Sequence, residues 1–134
     1  KDQQIICYHD RNTTRLSKID LEIAKTTYSE LKEKVDPYRL DQLLDLAIEN
    51  KKDLLIEFKH PVPTGGLIEK QVHKLLSKKA SEIQESRIDI TLISFSYLAT
   101  MRNKKSNYKS GLLINKKFLA TCCVIVEAPS SLLF

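Results

Sequence analysis

Short apolar runs at residues 5–8, 54–58, 88–95, 111–114 and 122–126 punctuate this chain, and segments with helical spacing separate most of them. That alternation constrains the fold more than any other feature. Apolar runs this short read as buried strands, and strands joined through helices are parallel, because a parallel connection needs a crossover long enough to hold one. The expectation is an α/β domain: a parallel sheet with helical cover. At 134 residues and 42% hydrophobic content the chain fits one ordinary domain, 1–134, with enough apolar material for a core.

The helical segments carry their own signals. Thr27-Tyr28-Ser29-Glu30 has capping-box spacing and predicts a short helix through about Lys34, which Asp36-Pro37 ends. Leu40, Leu43, Leu44, Leu46, Ala47 and Ile48 give a broad apolar helical face over 40–50. A longer helix is expected over 67–86, where Leu67, Ile68, Val72, Leu75 and Leu76 recur at three-to-four spacing. One or two helical turns follow at 97–102. Residues 11–18 are polar and read as a loop, and so do 60–66, which hold two of the four prolines and two of the three glycines.

Two architectures satisfy this order, an open doubly wound sheet and a (β/α) barrel. Both place functional groups at the C-terminal ends of the strands. No glycine-rich phosphate loop follows the first run, which disfavours the nucleotide-binding version.

Charge and cysteine content exclude several functions. The net charge is +5, but the basic residues are spread along the chain, with pairs such as Lys51-Lys52 and Lys78-Lys79 at element ends. No nucleic-acid footprint is expected from that pattern, whereas attraction of a small anionic substrate is compatible with it. No apolar run approaches the ~18 residues of a membrane span. The three cysteines, Cys7, Cys122 and Cys123, are odd in number and have no CxxC spacing, which argues against a disulfide framework or a zinc site. They read as buried, inert thiols in a cytoplasmic protein. The chain opens on Lys1 and reaches an apolar run almost at once, so it reads as cut from something longer.

Two strand ends carry polar groups that an apolar core would not hold without a reason. His9-Asp10 follows residues 5–8, and Glu57-Phe58-Lys59-His60 closes residues 54–58. A carboxylate in a buried strand is costly unless it is paired or binds a cation. Strand alternation puts Lys59 on the same side as Glu57. That leaves two readings: an ion pair on an exposed strand face, or a metal ligand beside a lysine that neutralises phosphate. His9 titrates in the range needed for proton transfer, though a histidine at a strand end is often structural; Asp10 need not touch it, since strand neighbours face opposite ways. His60 lies in the proline loop and His73 on a helix surface. Ser94 and Ser96 lack the G-x-S-x-G elbow of a serine hydrolase.

Taken in order, these residues resemble the glycerophosphodiester phosphodiesterase family. Ile6-Cys7-Tyr8-His9-Asp10 with Arg15 is similar to its V-x-x-HD-x-x-L-x-R segment. Leu55-Ile56-Glu57-Phe58-Lys59-His60-Pro61 is similar to its IEIK strand, in the form with His-Pro that actinobacterial members have. Ile93-Ser94-Phe95-Ser96 resembles the SF strand end, and Ala128-Pro129-Ser130 a late G-P-S. Thr13 stands where the family usually has leucine, and Tyr38-Arg39-Leu40 replaces Pro-Thr-Leu.

The resemblance implies a TIM-type (β/α) barrel, here partial, with about five of the eight strands such barrels have. It implies a divalent cation, Ca2+ or Mg2+, a small-molecule glycerophosphodiester substrate, and hydrolysis to glycerol 3-phosphate and an alcohol within lipid metabolism. His9 would be a general acid/base on the ester oxygen, Glu57 a metal ligand, and Lys59 a neutraliser of phosphate charge. The family's opening His-Arg pair and Glu-x-Asp strand precede the HD segment and have no counterpart here. This chain alone is therefore expected to be inactive. The alternative is a non-catalytic α/β module that binds an anionic partner.

Overall fold

The computed structural model describes residues 2–60 and 65–114. They fall into two compact units, the first reaching Leu43 and the second beginning at Leu44.

The first unit is held by loops rather than by a sheet. Among the described residues, 5–8, expected as a buried strand, make only an isolated antiparallel bridge, Ile6 to Arg39. The Cys7 amide donates to the Tyr38 carbonyl at 2.8 Å, and the Leu40 amide to the Ile5 carbonyl at 3.0 Å. With no ladder beyond these bonds, the segment is half-buried. The polar stretch that follows contains a short helix, α1 (Thr14–Ser17), inside a closed loop. That loop is clamped by the Asn12–Glu22 bridge and by Thr13, which is fully buried. The Thr13 hydroxyl donates to the Ile19 carbonyl and accepts from the Leu21 amide. The departure from leucine at this position thus has a physical account: the hydroxyl bonds to Ile19 and Leu21 across the loop's closure, which leucine could not do.

A 3-10 turn at Ile23–Lys25 leads to α2 (Tyr28–Lys34), which begins with the expected capping box. Glu30 Oε2 accepts from the Thr27 amide at 2.9 Å while the Thr27 hydroxyl accepts from the Glu30 amide at 3.4 Å. The boundary between the units falls within α3 (Leu40–Glu49). Leu40, Leu44 and Ala47 are its buried positions, whereas Leu46 is exposed, so the apolar face is narrower than the composition predicts.

The second unit is the parallel α/β structure that the alternation predicts. Strands β1 (Leu54–Phe58), β2 (Ile90–Ser94) and β3 (Lys109–Leu112) form a sheet in the order β1-β2-β3. Leu54 pairs with Ile90 through to Phe58 with Ser94, and Thr91 with Lys109 through to Ser94 with Leu112, all in parallel. This arrangement is consistent with part of a (β/α) barrel. The expected run at 111–114 is shifted, because the ladder starts at Lys109 and its last pair is at Leu112. The expected strand at 122–126 lies outside the described residues.

The single helix expected over 67–86 is two, α4 (Leu67–Lys78) and α5 (Ala80–Ser86), separated at Lys79. Neither Pro nor Gly marks that break, where Lys79 pairs with Glu82 of α5 at 2.9 Å and with Asp45 of α3 at 3.0 Å. The last helix, α6 (Tyr97–Asn103), follows β2 and is capped by the Ser96 hydroxyl. Leu54, Phe58, Val72, Leu76, Ile83, Ile90, Leu92 and Ala99 are buried, which places the core between sheet and helices. No helix among the described residues is long and apolar enough to cross a membrane.

Candidate functional site

At the C-terminal end of β1, the side chain of Glu57 is 1% exposed and that of Lys59 34%. Lys59 Nζ donates to Glu57 Oε2 at 2.8 Å. The alternation of the strand brings the two to one side, as predicted, but the pair is not on an exposed face. Its carboxylate is buried and its ammonium reaches the surface, the usual way for a lysine to keep its charge solvated. The other carboxylate oxygen, Glu57 Oε1, is buried and makes no hydrogen bond. An unpaired oxygen on a buried carboxylate is costly, and such an oxygen could hold a cation.

The neighbouring strand end is structural. The Ser94 hydroxyl donates to the Phe58 carbonyl at 2.8 Å and accepts from the Ser96 amide at 3.1 Å, locking the ends of β1 and β2 together. Ser96 caps α6, and Phe95 between them is exposed.

Beyond Lys59 lies a second buried carboxylate that sequence reasoning missed. Glu69, in the first turn of α4, is 1% exposed and accepts from Arg102 at 3.0 Å. His60 Nε2 lies 3.3 Å from the same oxygen, and Glu69 Oε2 has no hydrogen bond. A signal for this residue did exist: Glu69, Val72 and Leu76 share one helical face, and that is the buried face of α4. Gly66, with φ +95, belongs to the same cluster, because a Cβ there would sit 2.8 Å from Arg102 Nε. His73 is not a surface histidine; its Nε2 lies 3.1 Å from Oδ1 of the buried Asn103.

His9 belongs to the first unit, and there it touches Asp10, contrary to the strand-based expectation. Residues 9 and 10 form a bend, which lifts the rule that neighbours face apart. His9 Nδ1 lies 2.6 Å from Asp10 Oδ1, and Arg15 Nε donates to Asp10 Oδ2 at 2.5 Å. The Arg15 hydrogen bond, followed by that of His9, holds the Asp10 carboxyl below its ordinary value. Cys7 nearby has its thiol pushed up to about 11, by burial first and then by the Asp41 charge. A half-buried thiol in that state is protonated and inert at neutral pH, as expected of it. A cavity of about 490 Å³ in this unit is lined by Arg11, Asn12, Asp20 and Glu22, none of them an expected site residue.

Among the described residues no three His, Cys, Asp or Glu side chains converge to hold a metal ion. Glu57 fits one ligand position through its unpaired oxygen, and only one. Parallel strands joined through helices, with a carboxylate and a lysine at a strand's C-terminal end, define the class of α/β proteins that do chemistry at one rim of a sheet. Within that class the match is specific: the sequence model of the glycerophosphoryl diester phosphodiesterase family covers residues 1–121, and the chain belongs to that family. Searches of curated proteins and of solved structures returned no match.

Proposed function

We propose that this protein takes part in the hydrolysis of glycerophosphodiesters to glycerol 3-phosphate and an alcohol, with a divalent cation, Ca2+ or Mg2+. Residues 1–134 would form part of a TIM-type barrel domain acting on a small-molecule substrate in the cytoplasm, within lipid metabolism. The observation that carries the reading is the Glu57–Lys59 pair, in which one carboxylate oxygen takes the lysine while the other is buried without a partner. Leaving a buried acceptor unsatisfied costs about 1–3 kcal/mol, which a cation bound at that oxygen would offset.

In this reading Glu57 Oε1 would be one ligand of the cation, which when bound would supply charge neutralisation to the phosphodiester. Lys59, held at its ammonium by Glu57 Oε2, would neutralise charge on the phosphate. His9 exchanges a proton with the ester oxygen as water adds to phosphorus and the P–O bond to the alcohol breaks. The products are then a phosphate monoester and an alcohol, with the water's atoms shared between them.

The test has two readouts on the purified protein. Ca2+ or Mg2+ should raise the melting temperature of the wild type and not that of Glu57→Gln. In the complete barrel, glycerol 3-phosphate release from glycerophosphocholine should depend on the cation and fall about 10²–10⁴-fold in His9→Ala. No cation-dependent stabilisation, together with salt-sensitive binding of anions in its absence, would instead favour the non-catalytic anion-binding module.

A further inference from the structure

We propose that Asp10 and Arg15 are positioning residues that fix the His9 ring with its proton on Nδ1, leaving Nε2 as the nitrogen that exchanges protons. This rests on the reading of His9 as the general acid/base of the proposed reaction. The geometry is a chain of two contacts, His9 Nδ1 to Asp10 Oδ1 at 2.6 Å and Arg15 Nε to Asp10 Oδ2 at 2.5 Å. Each carboxylate oxygen therefore has its own partner.

The assignment follows by elimination. A neutral imidazole carries one N–H, and which nitrogen holds it is set by the hydrogen bond that the other group makes. An ionised carboxylate only accepts. The Arg15 guanidinium favours the ionised form of Asp10, so the proton in the 2.6 Å contact belongs to His9 Nδ1. Nε2 is then left with its lone pair, ready to take a proton, and becomes the donor once it has taken one.

Arg15 adds direction as well as charge. A carboxylate bonded at one oxygen only can rotate about its last bond, and holding the second oxygen fixes the plane in which the ring bond lies. Exposure does not argue against the role, since the side chains of His9 and Asp10 are 28% and 24% exposed. A proton-transfer group has to reach its substrate. The local backbone also serves this purpose, because in an extended strand adjacent side chains would face apart, and here a bend at 9–10 brings them together.

The test is 15N NMR of the imidazole nitrogens in the uniformly labelled protein, at a pH where the rings are neutral, with His9→Gln identifying the His9 signals. The expected wild-type pattern is the Nδ1–H tautomer, and Asp10→Ala should convert most of the population to Nε2–H. Arg15→Ala should shift the population part of the way, with Arg15→Lys closer to wild type. In the turnover assay Asp10→Ala should lower kcat about 10–100-fold with KM changed less than about twofold, as expected for a group acting through His9. An Nε2–H wild type overturns the proposal without any variant needing to fold, and so does a tautomer unchanged in Asp10→Ala. The expected spectra in a wild-type protein that no divalent cation stabilises would overturn the hydrolase reading and leave the assignment of the ring proton standing.

Discussion

Residues 5–10 and 54–60 look alike on paper: a short apolar run, then a histidine or a carboxylate, then a polar turn. In the folded chain they differ. Residues 54–58 are paired over their whole length with β2 and bury Leu54, Glu57 and Phe58. Residues 5–8 have a single bridge to Arg39, and none of them is fully buried. A strand is a property of a chain and its neighbour, so an apolar run supplies the propensity while the ladder has to come from elsewhere. The contrast extends to the polar ends. Glu57 holds Lys59 from inside the protein, whereas Asp10 holds His9 and Arg15 at its surface.

The largest expected effect breaks or upholds that contrast directly. Leu92 has no exposed surface and sits in the central strand, so Leu92→Ala should cost about 2–5 kcal/mol in urea unfolding. Ile6 is half-buried in the bridged segment, and Ile6→Ala should cost about 1 kcal/mol or less. Equal losses would mean that residues 5–8 are as well packed as the sheet.

The next effect sharpens the comparison of the two ion pairs. Lys59→Ala leaves the buried Glu57 carboxylate without its hydrogen-bonded cation and should destabilise by roughly 1–3 kcal/mol, discounted because Lys59 is about a third exposed. Replacing both residues by apolar ones of similar size, Glu57→Leu with Lys59→Met, should recover that loss or exceed it. Arg15→Ala, at an exposed pair, should lower the melting temperature much less than Lys59→Ala does. If the apolar double variant were the less stable form, Glu57 would be a stability residue and its unpaired oxygen would lose its functional meaning.

Much of this fold can be read before it is seen, and the parts that cannot share a cause. The Thr27–Glu30 cap and the β1 and β2 strands are local statements, settled by spacing and composition within a few residues. The Glu57–Lys59 contact is equally local, because a two-residue period fixes it. What the sequence left hidden depends on distant partners. Glu69 is fixed by Arg102, far away in the chain, and Thr13 by the closure of a loop at Ile19 and Leu21. The contact between His9 and Asp10 needed a bend that no glycine or proline announces. The break at Lys79 is similar, held by Asp45 and Glu82 rather than by a helix-breaking residue. As for the site, the sequence named residues on both polar ends, but not the buried Glu69.

The smallest effects lie in the pH dependence of the first segment, which should have a limb at each extreme. The Asp10 carboxyl titrates lower in the folded chain than its ordinary 3.8, because of Arg15 and then His9. Its contribution to stability is therefore present above that value and lost as the pH falls through the folded one. Cys7 behaves in the opposite sense. Its thiol rises from 9.0 to about 11 on folding, so below 9.0 both states hold the proton and the contribution is complete. Between 9.0 and about 11 the unfolded chain releases a proton that the folded chain keeps, and stability falls as the pH rises. Melting temperatures across the pH range, in the wild type, Asp10→Asn and Cys7→Ala, separate the two. Asp10→Asn should flatten the acid limb alone, although Asp2, held low by the Tyr28 amide, keeps some of it. Cys7→Ala should flatten the alkaline limb alone. Were Cys7→Ala to leave the alkaline limb unchanged, the thiol would be solvated, and residues 5–8 would be more open than their single bridge already makes them.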